Sequence, residues 1–132
     1  MAHIIVYCSG QEEAETFREQ FAPILEQWDE LPLYHEFISD RSRFLQYIRG
    51  NPYLFLFVAE SGPSGKETVR LAKETNPKAK LVWFAREDYA LDAFALHITH
   101  FARLPVNREK LASALEGCLI SWSGIHTATM TI

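Results

Sequence analysis

Five short apolar runs alternate with amphipathic stretches along the 132 residues, and this alternation constrains the fold more than any other property of the chain. Residues 3–8, 33–38, 53–59, 81–84 and 99–103 have strand length, and the stretches between them carry apolar side chains at helical spacing. In the first such stretch, residues 11–28, Ala14, Phe17, Phe21, Leu25 and Trp28 share a face. Pro23 lies inside it and predicts a kink or an early end, since an interior proline costs about 3 kcal/mol. The run 53–59 is apolar throughout, as a strand covered on both faces should be. Strict strand–helix alternation with short connections predicts an α/β fold, a parallel sheet with helices on both sides.

Local signals punctuate the pattern. Ser39 or Asp40 can cap a helix whose Phe44, Tyr47 and Ile48 share a face, and Gly50 offers its stop. The next helix is expected over 65–75, closed by Asn76-Pro77, and a fourth over 87–96. Asn107 caps the last, which buries Leu111, Leu115, Cys118 and Leu119. Residues 1–120 thus read as one domain and 121–132 as a tail. The tail's Thr/Ile alternation suits a strand. It is read as the linker and first strand of an output domain, a strand added to a partner, or a flexible end.

A net charge of -4 and a pI near 5.7, with the basic residues scattered, argue against direct nucleic-acid binding by this segment. The N-terminus lacks the pattern of a signal peptide and no apolar stretch reaches membrane-spanning length, so a cytoplasmic location away from membranes is expected. Cys8 and Cys118 are too few for a disulfide scaffold.

The segment Phe57-Val-Ala-Glu-Ser-Gly-Pro-Ser-Gly65 runs from a strand end through a glycine turn into a helix. It resembles the receiver motif of response regulators, where an aspartate ends the strand and glycines follow five and eight positions later; Phe57 stands at the aspartate's place. Glu36-Phe-Ile-Ser-Asp-Arg-Ser-Arg-Phe-Leu-Gln-Tyr-Ile48 resembles the second strand and helix of receivers. Phe84-Ala-Arg-Glu-Asp-Tyr-Ala-Leu-Asp-Ala-Phe94 is similar to the fourth strand and helix of receivers that carry LytTR-type DNA-binding domains, and His100-Phe-Ala-Arg-Leu-Pro-Val106 to the fifth strand. The resemblance covers about residues 3–119 and implies the CheY-like, flavodoxin-like doubly wound (βα)5 sheet in strand order 2-1-3-4-5.

Active receivers phosphorylate the aspartate with Mg²⁺ bridging, which requires hard oxygen ligands and positioned charge. By the resemblance, the acidic pair falls on Cys8 and Ser9, the aspartate on Phe57, the hydroxyl residue on Phe84 (or Ala85 after a one-residue slip) and the lysine on Leu104. Arg103 does not replace that lysine, because neighbouring strand residues point to opposite faces. The expectation is a degenerate receiver with no catalytic activity, no cofactor and no metal, its phosphoacceptor pocket plugged by apolar side chains. Phe101 takes the switch-aromatic position, with simple packing as its plainer role, and the resemblance implies a cis Leu104–Pro105 bond.

The resemblance further implies action through a protein partner or the chain's own output domain in two-component or phosphorelay-like signal transduction or transcription regulation. Its surface would be the face of helix four, strand five and helix five, near Tyr89, Asp92, Arg103, Arg108 and Lys110, with a homodimer as one form. The competing reading is a phosphocarrier or enzyme of flavodoxin-like fold using Cys8 as a phosphocysteine, or a cofactor-binding domain of that fold. His97 and His100 are expected to be surface histidines.

Overall fold

A computed structural model describes residues 2–27, 33–51 and 54–131. Strands β1 (Ala2–Cys8), β2 (Leu33–Ile38), β3 (Leu54–Ala59), β4 (Lys80–Ala85) and β5 (His100–Arg103) alternate with helices α1 (Gln11–Gln27), α2 (Arg41–Tyr47), α3 (Gly62–Thr75), α4 (Ala90–Ala95) and α5 (Arg108–Thr131). All strand pairs are parallel and the order is β2-β1-β3-β4-β5, as expected. Trp28 and Tyr53 lie outside the described residues.

Alternate residues of the central strands feed two cores. Val6, Phe57 and Phe84 face α1 and α5, meeting Phe17, Phe21, Leu111 and Leu115. Tyr7, Val58 and Trp83 face the other way, toward Phe44, Val69, Ala72 and Ala93 of α2, α3 and α4. Every residue of β3 is buried, which explains its unbroken apolar run.

Several element ends differ from expectation. Helix α1 passes Pro23 and reaches Gln27; the fully buried Phe17, Phe21 and Ile24 bind it to the sheet on both sides of the proline, so packing outweighs the lost backbone bond. Helix α3 starts at Gly62, three residues before Gly65, because Pro63 falls in its first turn, where a missing N–H goes unnoticed. Gly65 then sits within the helix, its Cα so close to the Glu60 carbonyl that a Cβ would lie 2.0 Å from the oxygen. Asp40 caps α2, its carboxylate accepting from the Ser42 N–H at 3.2 Å.

The largest difference is at the C-terminus. Helix α5 continues to Thr131, across the residues whose sequence suits a linker and first strand of an output domain, a strand added to a partner, or a flexible end. Extending a formed helix adds one hydrogen bond per residue fixed, whereas a terminal strand without a sheet partner gains none, and this outweighs the modest β preference of Thr and Ile.

Candidate functional site

The carboxyl ends of the strands form a cleft beside the β1/β3 boundary, where the chain winds away in opposite directions, the usual ligand position in open α/β sheets. One lobe, of about 250 Å³, is lined by Ser9, Gly10, Ala59, Glu60 and Ser61. A second, of about 240 Å³, is lined by Glu12, Thr16, Pro105 and Val106. Glu13, Arg86 and Leu104 border both lobes.

Of the five positions singled out by the resemblance, Ser9 and Leu104 reach the cleft. Phe57 does not; it is 0% exposed, stacked on Phe21 at 5.6 Å and packed against Phe17 and Phe84 at 6.1 and 6.2 Å. Phe84 meets Phe17 edge-on at 5.7 Å, also inside the core. The β3 residue that borders the cleft is Ala59, two positions beyond Phe57 on the same face and paired with Cys8 and Phe84. Apolar filling therefore lies beneath the cleft, while the mouth above it is open and polar.

Cys8 is 2% exposed, and burial, with the Glu13 carboxylate adding to it, pushes its thiol up to about 12. Such a thiol holds its proton at neutral pH. The Leu104–Pro105 bond is cis. Leu104 N–H donates to the Ala85 carbonyl at 2.8 Å, which carries the chain from β5 over the end of β4.

Arg86, on the loop after β4, was not singled out by the sequence. Its N–H donates to Ser61 Oγ at 2.9 Å, and the Arg103 guanidinium donates to its carbonyl through Nε at 2.9 Å and Nη2 at 2.5 Å. With the backbone fixed on both sides, the side chain extends across the cleft and pairs with Glu13 Oε1 at 3.0 Å. The other oxygen, Glu13 Oε2, lies over Gly10 so closely that a Cβ there would be 2.2 Å away. Gly10 thus gives the Glu13 carboxylate its place at the cleft floor.

On the far side of the β3 end, the buried Glu60 carboxylate accepts from Thr68 Oγ1 and, at 2.9 Å, from Ser64 Oγ. Arg41 of α2 binds Thr68 Oγ1 at 2.8 Å and Ser64 Oγ at 2.7 Å, so one polar cluster ties α2 to the start of α3. Trp83 Nε1 donates to the Glu60 carbonyl at 3.0 Å. The run from Glu60 to Ser64 is therefore held from three elements, a connection no local pattern announces.

The proposed interaction face is mostly engaged within the molecule. Tyr89 stacks on Trp83 at 4.9 Å, Asp92 accepts from Lys66 at 2.8 Å, and Lys110 donates to the carbonyls of Arg103 and Pro105 at 2.7 and 3.0 Å. Arg108 is exposed. Phe101 is partly buried, edge-on to Trp83 at 5.5 Å. The sequence reading passed over Leu91 and Phe94 of α4, which are 85% and 83% exposed and lie three residues apart on one helical turn. His100 is partly buried rather than on the surface, and burial lowers its pKa. No helix among the described residues is long and apolar enough to cross a membrane.

No protein-family model and no curated protein sequence matches the chain. Solved structures do. A LuxR-family two-component response regulator from Aurantimonas sp. superposes with a TM-score of 0.69 at 16% identity, covering 92% of this chain and 86% of that one. A response regulator receiver domain protein from Clostridium thermocellum gives 0.67 at 13% identity, with 95% and 99% covered. A chain named adenylate cyclase from Rhodopirellula baltica gives 0.66 at 10% identity, with 98% of both covered. Such distant likeness speaks for architecture, and together with the strand order and the polar mouth at the strand ends it means that this chain has the fold of the CheY-like response regulator receiver domains.

Proposed function

We propose that the chain is a non-catalytic signalling module, a receiver fold that has given up phosphotransfer and acts by binding protein. The observation that carries the reading is the pair Leu91 and Phe94, 85% and 83% exposed on a helix of six residues. Exposing two large apolar side chains side by side is unfavourable in water, and their burial against a partner is worth roughly 1.5–3 kcal/mol each. Exposed Asp88, three residues before Leu91 in the sequence, sets a charge beside the apolar pair, and a two-fold homodimer or the chain's own output domain would cover such a surface.

Loss of phosphotransfer is supported by the rings of Phe57 and Phe84 beneath the cleft and by Leu104 at its rim. The phosphocysteine alternative fares poorly, because Cys8 is buried and its thiol holds its proton. Two measurements test the proposal. Acetyl phosphate or beryllofluoride with Mg²⁺ should leave the amide shifts of residues 8, 57, 84 and 104 unchanged; specific shifts there would sink it. Leu91→Asp with Phe94→Asp should abolish self-association in sedimentation or capture of the partner. If the wild-type chain is monomeric at high concentration and retains no partner, the interaction role is wrong.

A further inference from the structure

The cleft at the strand ends holds its own ion pair, and the geometry points to the ligand that would use it. We propose that this cleft binds a free α-amino acid with an apolar side chain, anchored between Arg86 and Glu13. The two residues border both lobes, so their contact divides what is otherwise a continuous groove. Their side chains are 64% and 27% exposed, and a solvent-facing pair of this kind holds weakly enough to exchange partners.

Arg86 is built to receive a carboxylate. Its backbone is fixed by Ser61 and Arg103, while among the described residues the guanidinium makes one bond, through Nη2 to Glu13. The remaining N–H donors of that planar fork are available for a second carboxylate. Ser9 and Ser61 place hydroxyls in the adjoining lobe; Ser61 Oγ accepts from the Arg86 N–H and keeps its own proton to donate. On the other side, Glu12 and Glu13 offer carboxylates for an ammonium group, and Leu104, Pro105 and Val106 form an apolar wall beside them.

This combination selects a zwitterion. A simple anion approaching Arg86 would also meet Glu12 and Glu13, and a simple cation approaching those carboxylates would meet Arg86. An α-amino acid carries both charges one carbon apart, so each finds its opposite while the side chain lies on the apolar wall. The site is independent of the α4 surface, so either proposal can fail without the other.

The test is titration of the full chain with L-leucine, followed by amide chemical shifts. Saturable shifts at Ser9, Gly10, Ser61, Arg86 and Leu104 are expected. N-acetyl-L-leucine lacks the ammonium and L-leucinamide the carboxylate, so each should bind at least about tenfold more weakly, the usual consequence of losing a charge-assisted hydrogen bond. Arg86→Gln should weaken leucine by a similar factor while keeping the fold by circular dichroism, and Glu13→Gln should reduce the discrimination against the N-acetyl compound, with Glu12→Gln/Glu13→Gln removing it. Absence of shifts at millimolar leucine, shifts confined to other residues, equal binding of either blocked analogue, or unchanged affinity in Arg86→Gln would overturn the proposal.

Discussion

At position 57 a carboxylate would meet rings instead of water. Phe57 lies among Phe17, Phe21 and Phe84, and none of its surface is exposed. Phe57→Asp therefore removes a large apolar side chain and buries a group that has no partner, and a loss of about 4 kcal/mol or more is expected. Ala59→Asp introduces the same carboxylate two residues later, where the cleft gives it access to solvent, and should cost clearly less. Urea denaturation of the two variants decides the matter: equal midpoints would mean that the plug beneath the cleft is misassigned. Gly65 makes a second demand at this scale. A Cβ there would stand 2.0 Å from the Glu60 carbonyl oxygen, a backbone atom that cannot turn aside. Gly65→Ala is expected to lower stability by about 1–3 kcal/mol, the range for overpacking a tight site.

Between elements, the cluster around Glu60, one residue past the end of β3, joins α2 to α3 through the side chains of Arg41, Glu60, Ser64 and Thr68 and the Ser64 carbonyl. Thr68→Val keeps the shape but deletes the hydroxyl that donates to Glu60 and accepts from Arg41. A buried carboxylate left short of a donor should cost about 1–3 kcal/mol. Thermal unfolding of Thr68→Val, with Asp40→Ala, which removes the exposed cap of α2, as a control, checks the size of this effect. The five strands were legible because each is a short apolar run whose burial depends on local pattern, whereas their order followed from the resemblance to receivers. Phe57 and Phe84 could be read as core for the same reason. The cleft could not, since Glu13, Ala59, Ser61 and Arg86 come together only through the parallel register of β1, β3 and β4. Counting glycines in one segment located Phe57 along the chain but not its depth below the strand ends. The exposure of Leu91 and Phe94 was hidden too, because a helix of six residues is too short for its periodicity to say which side meets the sheet.

Across the whole molecule, both thiols lie in the core between the sheet and the α1–α5 layer, one on β1 and one on α5, and neither is more than 2% exposed. Burial pushes Cys8 and Cys118 each up from 9.0 to about 12. In the unfolded chain the same groups ionise near their ordinary value, so below pH 9 both states hold the protons and the thiols leave stability unchanged with pH. Above it the unfolded chain loses protons that the folded chain retains, and stability falls until the folded thiols titrate near 12. Each thiol contributes a slope of about 1.4 kcal/mol per pH unit within that window. Tyr7, whose pKa burial also raises, steepens the decline further up the scale. Replacing Cys8 and Cys118 together by alanine isolates the thiol share: the wild-type chain should lose stability markedly faster than the double variant between pH 9 and 10, measured by urea denaturation in steps of pH. Equal slopes would mean that the thiols ionise as readily in the fold as out of it. The core that encloses Phe57 would then be open to water, and the apolar plug beneath the cleft would fail with it.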